Sequence, residues 1–184
     1  MNIQPAKPFE ASAWLNTDTA ITLESLRGKV VLLEAFQMLC PGCVSHSLPQ
    51  AMKVRQLFNE DDVAVIGLHS VFEHHEAQGS KEALAAFLHE YRLSFPVAID
   101  KQSANGQLPV TMNSYGMRGT PTTILIDRQG NIRKHKFGQE DDLLLGAEIM
   151  ALMSEATVPQ ETAKASTAPK DGCTDEGCTV PQNM

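Results

Sequence analysis

The stretch Val30-Val31-Leu32-Leu33-Glu34-Ala35-Phe36, followed shortly by Leu39-Cys40-Pro41-Gly42-Cys43, decides how this chain is read. A nearly unbroken apolar run of that length fits a strand buried on both faces of a parallel sheet. Beyond the cysteines, Val44 to Phe58 carries its apolar residues at helical spacing, so the pair stands at a strand-to-helix junction. The unpaired N–H groups and positive dipole end at a helix start stabilise a thiolate on Cys40. Pro41 suits the first helical turn, where its missing N–H has no partner to lose. Cys43, one turn on, faces the same way and can close a small disulfide ring. The pattern points to a redox-active pair. Half of a zinc site would call for a second ligand pair nearby. A structural disulfide is at odds with a reducing compartment, and a chance pair leaves the junction unexplained.

Working outward, 184 residues allow one domain plus a tail, with a sizeable core. The 15 basic and 22 acidic residues give a net charge of −7, and the basic ones form no stripe. Nucleic acid and anionic membrane surfaces are therefore not expected partners. No stretch is long and apolar enough to span a bilayer. Met1 to Pro8 has neither the apolar core nor the cleavage pattern of a secretory signal. The expectation is a cytoplasmic protein whose Cys40–Cys43 pair rests mostly as a dithiol.

Residues 1–10 read as an irregular lead-in, and Ala13 to Asn16 as a short edge strand. Pro49 removes an N–H from the helix after Cys43 and should kink it. Val63 to His69 is a second fully apolar strand, and Ser80 caps an amphipathic helix to Leu93 with a stripe of Leu84, Phe87, Leu88 and Tyr91. Phe95 to Asp100 reads as a strand, placed at an edge by Pro96. Leu108 to Tyr115 holds a helical turn. Thr122 to Asp127 and Asn131 to Phe137 form a hairpin around Arg128-Gln129-Gly130, and Asp141 to Met153 closes the domain as a helix.

The order β-α-β-α-β, then β-β-α, implies an α/β fold with a mixed central sheet and helices on both faces. Over residues 12 to 153 the chain resembles thioredoxin-fold proteins of the TlpA-type redoxin group, relatives of the alkyl hydroperoxide reductase and thiol-specific antioxidant superfamily. The carriers are Leu26-Arg27-Gly28-Lys29-Val30-Val31, Cys40-Pro41-Gly42-Cys43, Tyr115 to Thr122 and the Ile126 to Ile132 hairpin. The resemblance implies a thiol–disulfide oxidoreductase without an organic cofactor, acting on a disulfide protein or small thiol and served by an electron-donating thiol system. By the same likeness, Cys40 is the nucleophile and Cys43 the resolving thiol. Thr120-Pro121 is the cis-proline loop, and it denies a metal ion a place at the two sulfurs. Leu39, Pro41, Gly42 and Thr120 face the substrate. Glu34, six residues before Cys40, is the buried acid that takes the Cys43 proton. A carboxylate merely facing a polar gap is the plainer alternative for Glu34.

The chain also departs from its relatives. Leu39 stands where thioredoxins usually carry tryptophan, Pro49 comes one residue later than usual, and Lys101 to Asn113 is a longer connection. His69, His74, His75, Glu73 and Glu76 match no ordinary ligand set and read as a polar loop; His46 either touches the dithiol or lies on the surface. Residues 1–156 form the redoxin domain and 157–184 a flexible tail ending in Cys173 and Cys178. That pair suggests a second dithiol relaying electrons to Cys40–Cys43, a soft-metal hook or an inert tail. Two rivals remain. A thiol peroxidase needs Pro-x-x-x-Thr/Ser-x-x-Cys, where this chain has Leu33 and Gln37; a metal-binding or carrier module would use Cys173 and Cys178.

Overall fold

The computed structural model describes residues 4–104 and 108–155. Seven strands, β1 Gln4–Pro5, β2 Ala11–Leu15, β3 Val30–Phe36, β4 Val63–His69, β5 Val97–Asp100, β6 Thr122–Ile126 and β7 Asn131–Phe137, form one sheet. Their order is β1-β7-β6-β3-β4-β5-β2. β3, β4 and β5 run parallel, and the remaining pairings are antiparallel. The mixed sheet expected from the element order is present.

β3 lies at the centre because it can be buried on both sides. Its alternating side chains feed two cores. Leu32 and Phe36 pack with α1 Leu48–Leu57, α3 Lys81–Glu90 and α5 Asp142–Ser154. Val31, Leu33 and Ala35 face the other way, onto Leu23, Leu26 and α4 Val110–Ser114 through Met112. Each fully buried leucine or phenylalanine contributes about 1.5–3 kcal/mol relative to an exposed one. Glu34 is the only charged residue in β3. It stands on the helix-covered face opposite Gly67 of β4, where a Cβ would come within 2.9 Å of Phe95 and 3.0 Å of Val97.

Caps fix the helix ends. Ser80 Oγ accepts from the Ala83 N–H at 3.0 Å, and Asp141 Oδ1 accepts from Leu143 and Leu144 at 2.9 and 3.0 Å. The buried Asp100 carboxylate accepts from the N–H groups of Thr111 and Met112 at 2.8 and 2.9 Å and from the Ser70 hydroxyl at 2.9 Å. This seats α4 and the chain leading from it to Thr120-Pro121.

Several sequence expectations are corrected. The lead-in contains β1, whose backbone pairs with Ile132 and Asn131 of β7. β5 is not an edge strand, because β2 covers its outer side; Pro96 stands just before the strand and takes no N–H from the ladder. The helix after Cys43 does not simply kink at Pro49. Residues Cys43–Ser47 form a π turn in which the Leu48 N–H reaches back five residues to the Cys43 carbonyl, and Pro49 opens α1 in its first turn. The α3 stripe ends early: Leu84 and Leu88 are buried, while Tyr91 lies past the helix end, exposed, with its ring 4.5 Å from that of Phe87. His69 is not part of a polar loop. It ends β4, buried against Phe36, whereas His74 and His75 are exposed beside the single turn α2 His75–Gln78.

Candidate active site

Met38 and Leu39 carry the chain from β3 to Cys40, and residues 41 and 42 open the helix that becomes the π turn. Cys40 and Cys43 are joined by a disulfide, with Cα atoms 5.2 Å apart. Cys40 is partly exposed, whereas Cys43 is 0% exposed. The Cys43 N–H points at Cys40 Sγ from 3.2 Å, and the N–H groups of Cys43 and Val44 both donate to the Cys40 carbonyl at 3.1 Å. A donor aimed at Cys40 Sγ from the start of a helix is what favours negative charge on that sulfur once the disulfide opens.

The Thr120–Pro121 peptide is cis and lies beside the pair. The Thr120 carbonyl oxygen is 3.6 Å from Cys40 Sγ, and a Cβ on Gly42 would stand 3.4 Å from Pro121 Cδ. Leu39, 56% exposed, and the exposed Pro41 complete the rim. On the far side, the Phe137 ring packs so closely on Gly119 that a Cβ there would lie 2.9 Å from it. The Arg118 guanidinium sits 5.2 Å from the centre of the same ring.

Glu34, of β3, is buried at 1% exposure. The Thr123 hydroxyl donates to its Oε2 at 2.8 Å. Burial raises its pKa from 4.5 to about 7, against the smaller lowering effects of Thr123 and Ser47. Ser47 exerts that influence without completing a hydrogen bond, and Glu34 Oε1 is likewise without a partner.

A buried amide pair that sequence reading missed holds the loop before Cys40. Gln78 Oε1 accepts the Leu39 N–H at 3.1 Å, and Gln78 Nε2 donates to Gln37 Oε1 at 3.1 Å and to the Glu73 carbonyl at 2.9 Å. Gln37 Oε1 also accepts the Phe72 N–H at 3.2 Å. Nothing in the composition around Gln78 marks it as buried, since its neighbours His74 to Ala77 are exposed. His46 turns away from the dithiol, its Nε2 lying 2.7 Å from the Glu140 carbonyl. Among the described residues no cluster of three His, Cys, Asp or Glu side chains is placed to hold a metal ion, and no helix is long and apolar enough to cross a membrane. Cys173 and Cys178 lie outside the described residues.

A pair that can open to a dithiol and close again stores two electrons in its own sulfurs. With this sheet around it, the chain falls among the thioredoxin-like oxidoreductases. It belongs to the redoxin family, whose model matches residues 4–147. Among solved structures it resembles thioredoxin-like superfamily protein SPOA0173, at 55% identity and a TM-score of 0.81, over 84% of this chain and 99% of that one. A thiol-disulfide isomerase from Corynebacterium glutamicum is 47% identical with a TM-score of 0.79, over 83% and 97% of the two chains. Protein DipZ of Mycobacterium bovis is 30% identical over 174 residues, covering 86% of this chain but 24% of DipZ. Thiol-disulfide oxidoreductase ResA of Halalkalibacterium halodurans is 32% identical over 68% of this chain and 64% of that protein. The chain thus spans about a quarter of DipZ and just under two-thirds of ResA.

Proposed function

We propose that the chain exchanges disulfides with protein or small-molecule partners through Cys40 and Cys43, drawing electrons from a thiol system. The observation that carries this reading is the asymmetry of the pair: one sulfur is partly exposed under a helix-start donor, and the other is fully enclosed. The Cys40 thiolate attacks a substrate disulfide, forms a mixed disulfide and expels one substrate thiolate. Cys43 then loses its proton towards Glu34, and its sulfur attacks Cys40 Sγ. The second substrate thiol leaves, and the Cys40–Cys43 disulfide forms. Two electrons have passed to the substrate, and a donor dithiol restores the pair. A base with a pKa of about 7 suits this work near neutral pH.

The Thr120 backbone beside Cys40, with Leu39, Pro41 and Gly42 on the same rim, offers the backbone and apolar contacts for an extended segment flanking the substrate cysteine. The names of the relatives, two of them a thiol-disulfide oxidoreductase and a thiol-disulfide isomerase, support the same chemistry. A peroxidase reading is weaker. Leu33, at the proline place of that pattern, is buried in the core, and Gln37, at the hydroxyl place, has its carboxamide oxygen engaged by Gln78 and Phe72. In the test, the reduced chain is incubated with a peptide disulfide and a dithiol donor while thiol release is followed. The chain sustains turnover and the Cys40→Ser variant does not; equal turnover by that variant would remove the reading.

A further inference from the structure

We propose that Ser47 relays the proton between the Cys43 thiol and the Glu34 carboxyl during resolution, a step that rests on the exchange reaction above. Three observations lead there. First, Cys43 and Ser47 are the two buried residues of the π turn, at 0% and 2% exposure, and Glu34 is at 1%. Bulk water does not reach the thiol, so its proton needs a carrier inside the protein. Second, among the described residues just four buried side-chain polar atoms lack a hydrogen-bond partner, and Glu34 Oε1 and Ser47 Oγ are two of them. Ser47 is also one of the groups that lower the Glu34 pKa, so the two side chains are neighbours, and buried polar atoms are nearly always bonded, so neighbours left open require a reason. A hydroxyl that accepts from one group and donates to the other supplies it. Third, the hydroxyl is not taken up by its own helix. A serine in an α-helix tends to bond the carbonyl four residues back. Ser47, within the π turn, makes no such bond to the Cys43 carbonyl, and its hydroxyl stays buried on the covered face.

In the mixed disulfide, Cys43 S–H gives its proton to Ser47 Oγ while the Ser47 hydroxyl proton passes to the Glu34 carboxylate. The electron pair left on Cys43 sulfur attacks Cys40 Sγ. The bond to the substrate sulfur breaks, and the substrate leaves as a thiolate that takes a proton from water. Glu34 ends protonated, the disulfide ends closed, and no outside redox agent enters. Of the titratable groups on this side of the sheet, His69 of β4 is kept neutral by burial, which lowers its pKa to about 4. Lys134 of β7 pairs with Glu140 and Glu148, Lys136 opposite Thr123 is exposed, and His46 engages the Glu140 backbone. None of them contributes to the Glu34 shift.

Single-turnover mixing of the reduced full chain with a peptide disulfide, quenched with acid and read by mass, separates formation of the mixed disulfide from its resolution. Ser47→Ala is expected to leave the first step unchanged and slow the second on the order of a hundred-fold, the usual scale of a lost proton-transfer group. Ser47→Thr, which keeps the hydroxyl, is expected to recover most of the rate. In mixtures of light and heavy water, the wild-type second step should show two protons in flight and Ser47→Ala one. Equal second-step rates in wild type and Ser47→Ala overturn the relay, as does equal slowing by Ala and Thr. Failure to form any mixed disulfide on Cys40 in Cys43→Ser would instead overturn the exchange reading itself.

Discussion

Replacing Glu34 with glutamine keeps an oxygen for the Thr123 hydroxyl and removes the titration. A carboxyl whose pKa is about 7 when folded and 4.5 in the reference state holds its proton more tightly in the native protein. Between those two values the folded state carries a proton that the unfolded state has lost, so stability falls as pH rises through that window. One pKa unit corresponds to about 1.4 kcal/mol, so the cost reaches about 3 kcal/mol above pH 7 and vanishes below about pH 4. Urea unfolding of the oxidised protein at a series of pH values reads this directly. The gap between Glu34→Gln and wild type should open by about 3 kcal/mol in favour of the variant from pH 4 to pH 8. A gap that stays constant across the range would mean that Glu34 titrates normally, and the case for it as a base poised near neutrality would collapse.

His69 should show the opposite slope. Burial lowers its pKa from 6.5 to about 4, so the stability it confers is complete above pH 6.5 and is lost as pH falls towards 4. The apolar replacement His69→Leu should remove about 3 kcal/mol of that acid dependence, read in urea unfolding as a stability difference, variant minus wild type, that grows in the variant's favour as pH falls from 6.5 to 4. In the wild type the His69 and Glu34 slopes largely cancel there, so each is visible only as a difference between variant and parent. Gln78→Ala strips the partner from the Leu39 N–H and one from Gln37 Oε1. The Leu39 N–H left unpaired costs about 1–3 kcal/mol, whereas Gln37 Oε1 keeps the Phe72 N–H, so the urea midpoint should fall and the alkylation rate of reduced Cys40 should change; an unaltered rate would show that the amide pair does not position the loop.

The strand, the dithiol and the helix start were legible because each leaves a local trace: apolar continuity in Val30–Phe36, two-residue spacing between cysteines, and helical periodicity after them. The cap at Ser80 was legible for the same reason, while the cap at Asp141 was not read from the sequence. What escaped depends on contacts distant in sequence. Nothing near Pro96 reveals that β2, some eighty residues earlier, covers β5. Gln37 and Gln78 are polar residues whose burial exists only because they satisfy one another across forty positions. The burial of Glu34 was implied by the likeness to thioredoxin-fold proteins, and the structure shows it at 1% exposure. The rise of its pKa depends on the surrounding helices and on Gly67, which no local pattern displays. The late Pro49 was visible as a departure, yet the π turn just before it is a matter of backbone hydrogen bonding, which no local pattern displays.

The exchange chemistry of Cys40 is tested most directly by trapping. Reduced wild type, Cys40→Ser and Cys43→Ser are each mixed with oxidised glutathione at neutral pH, quenched, digested and mapped by mass. Cys43→Ser should accumulate one glutathione on Cys40, wild type should return the Cys40–Cys43 disulfide with the glutathione released, and Cys40→Ser should acquire none on Cys43. Faster glutathione capture by Cys43 in the Cys40→Ser variant than by Cys40 in Cys43→Ser would contradict the assignment of the accessible sulfur as the nucleophile.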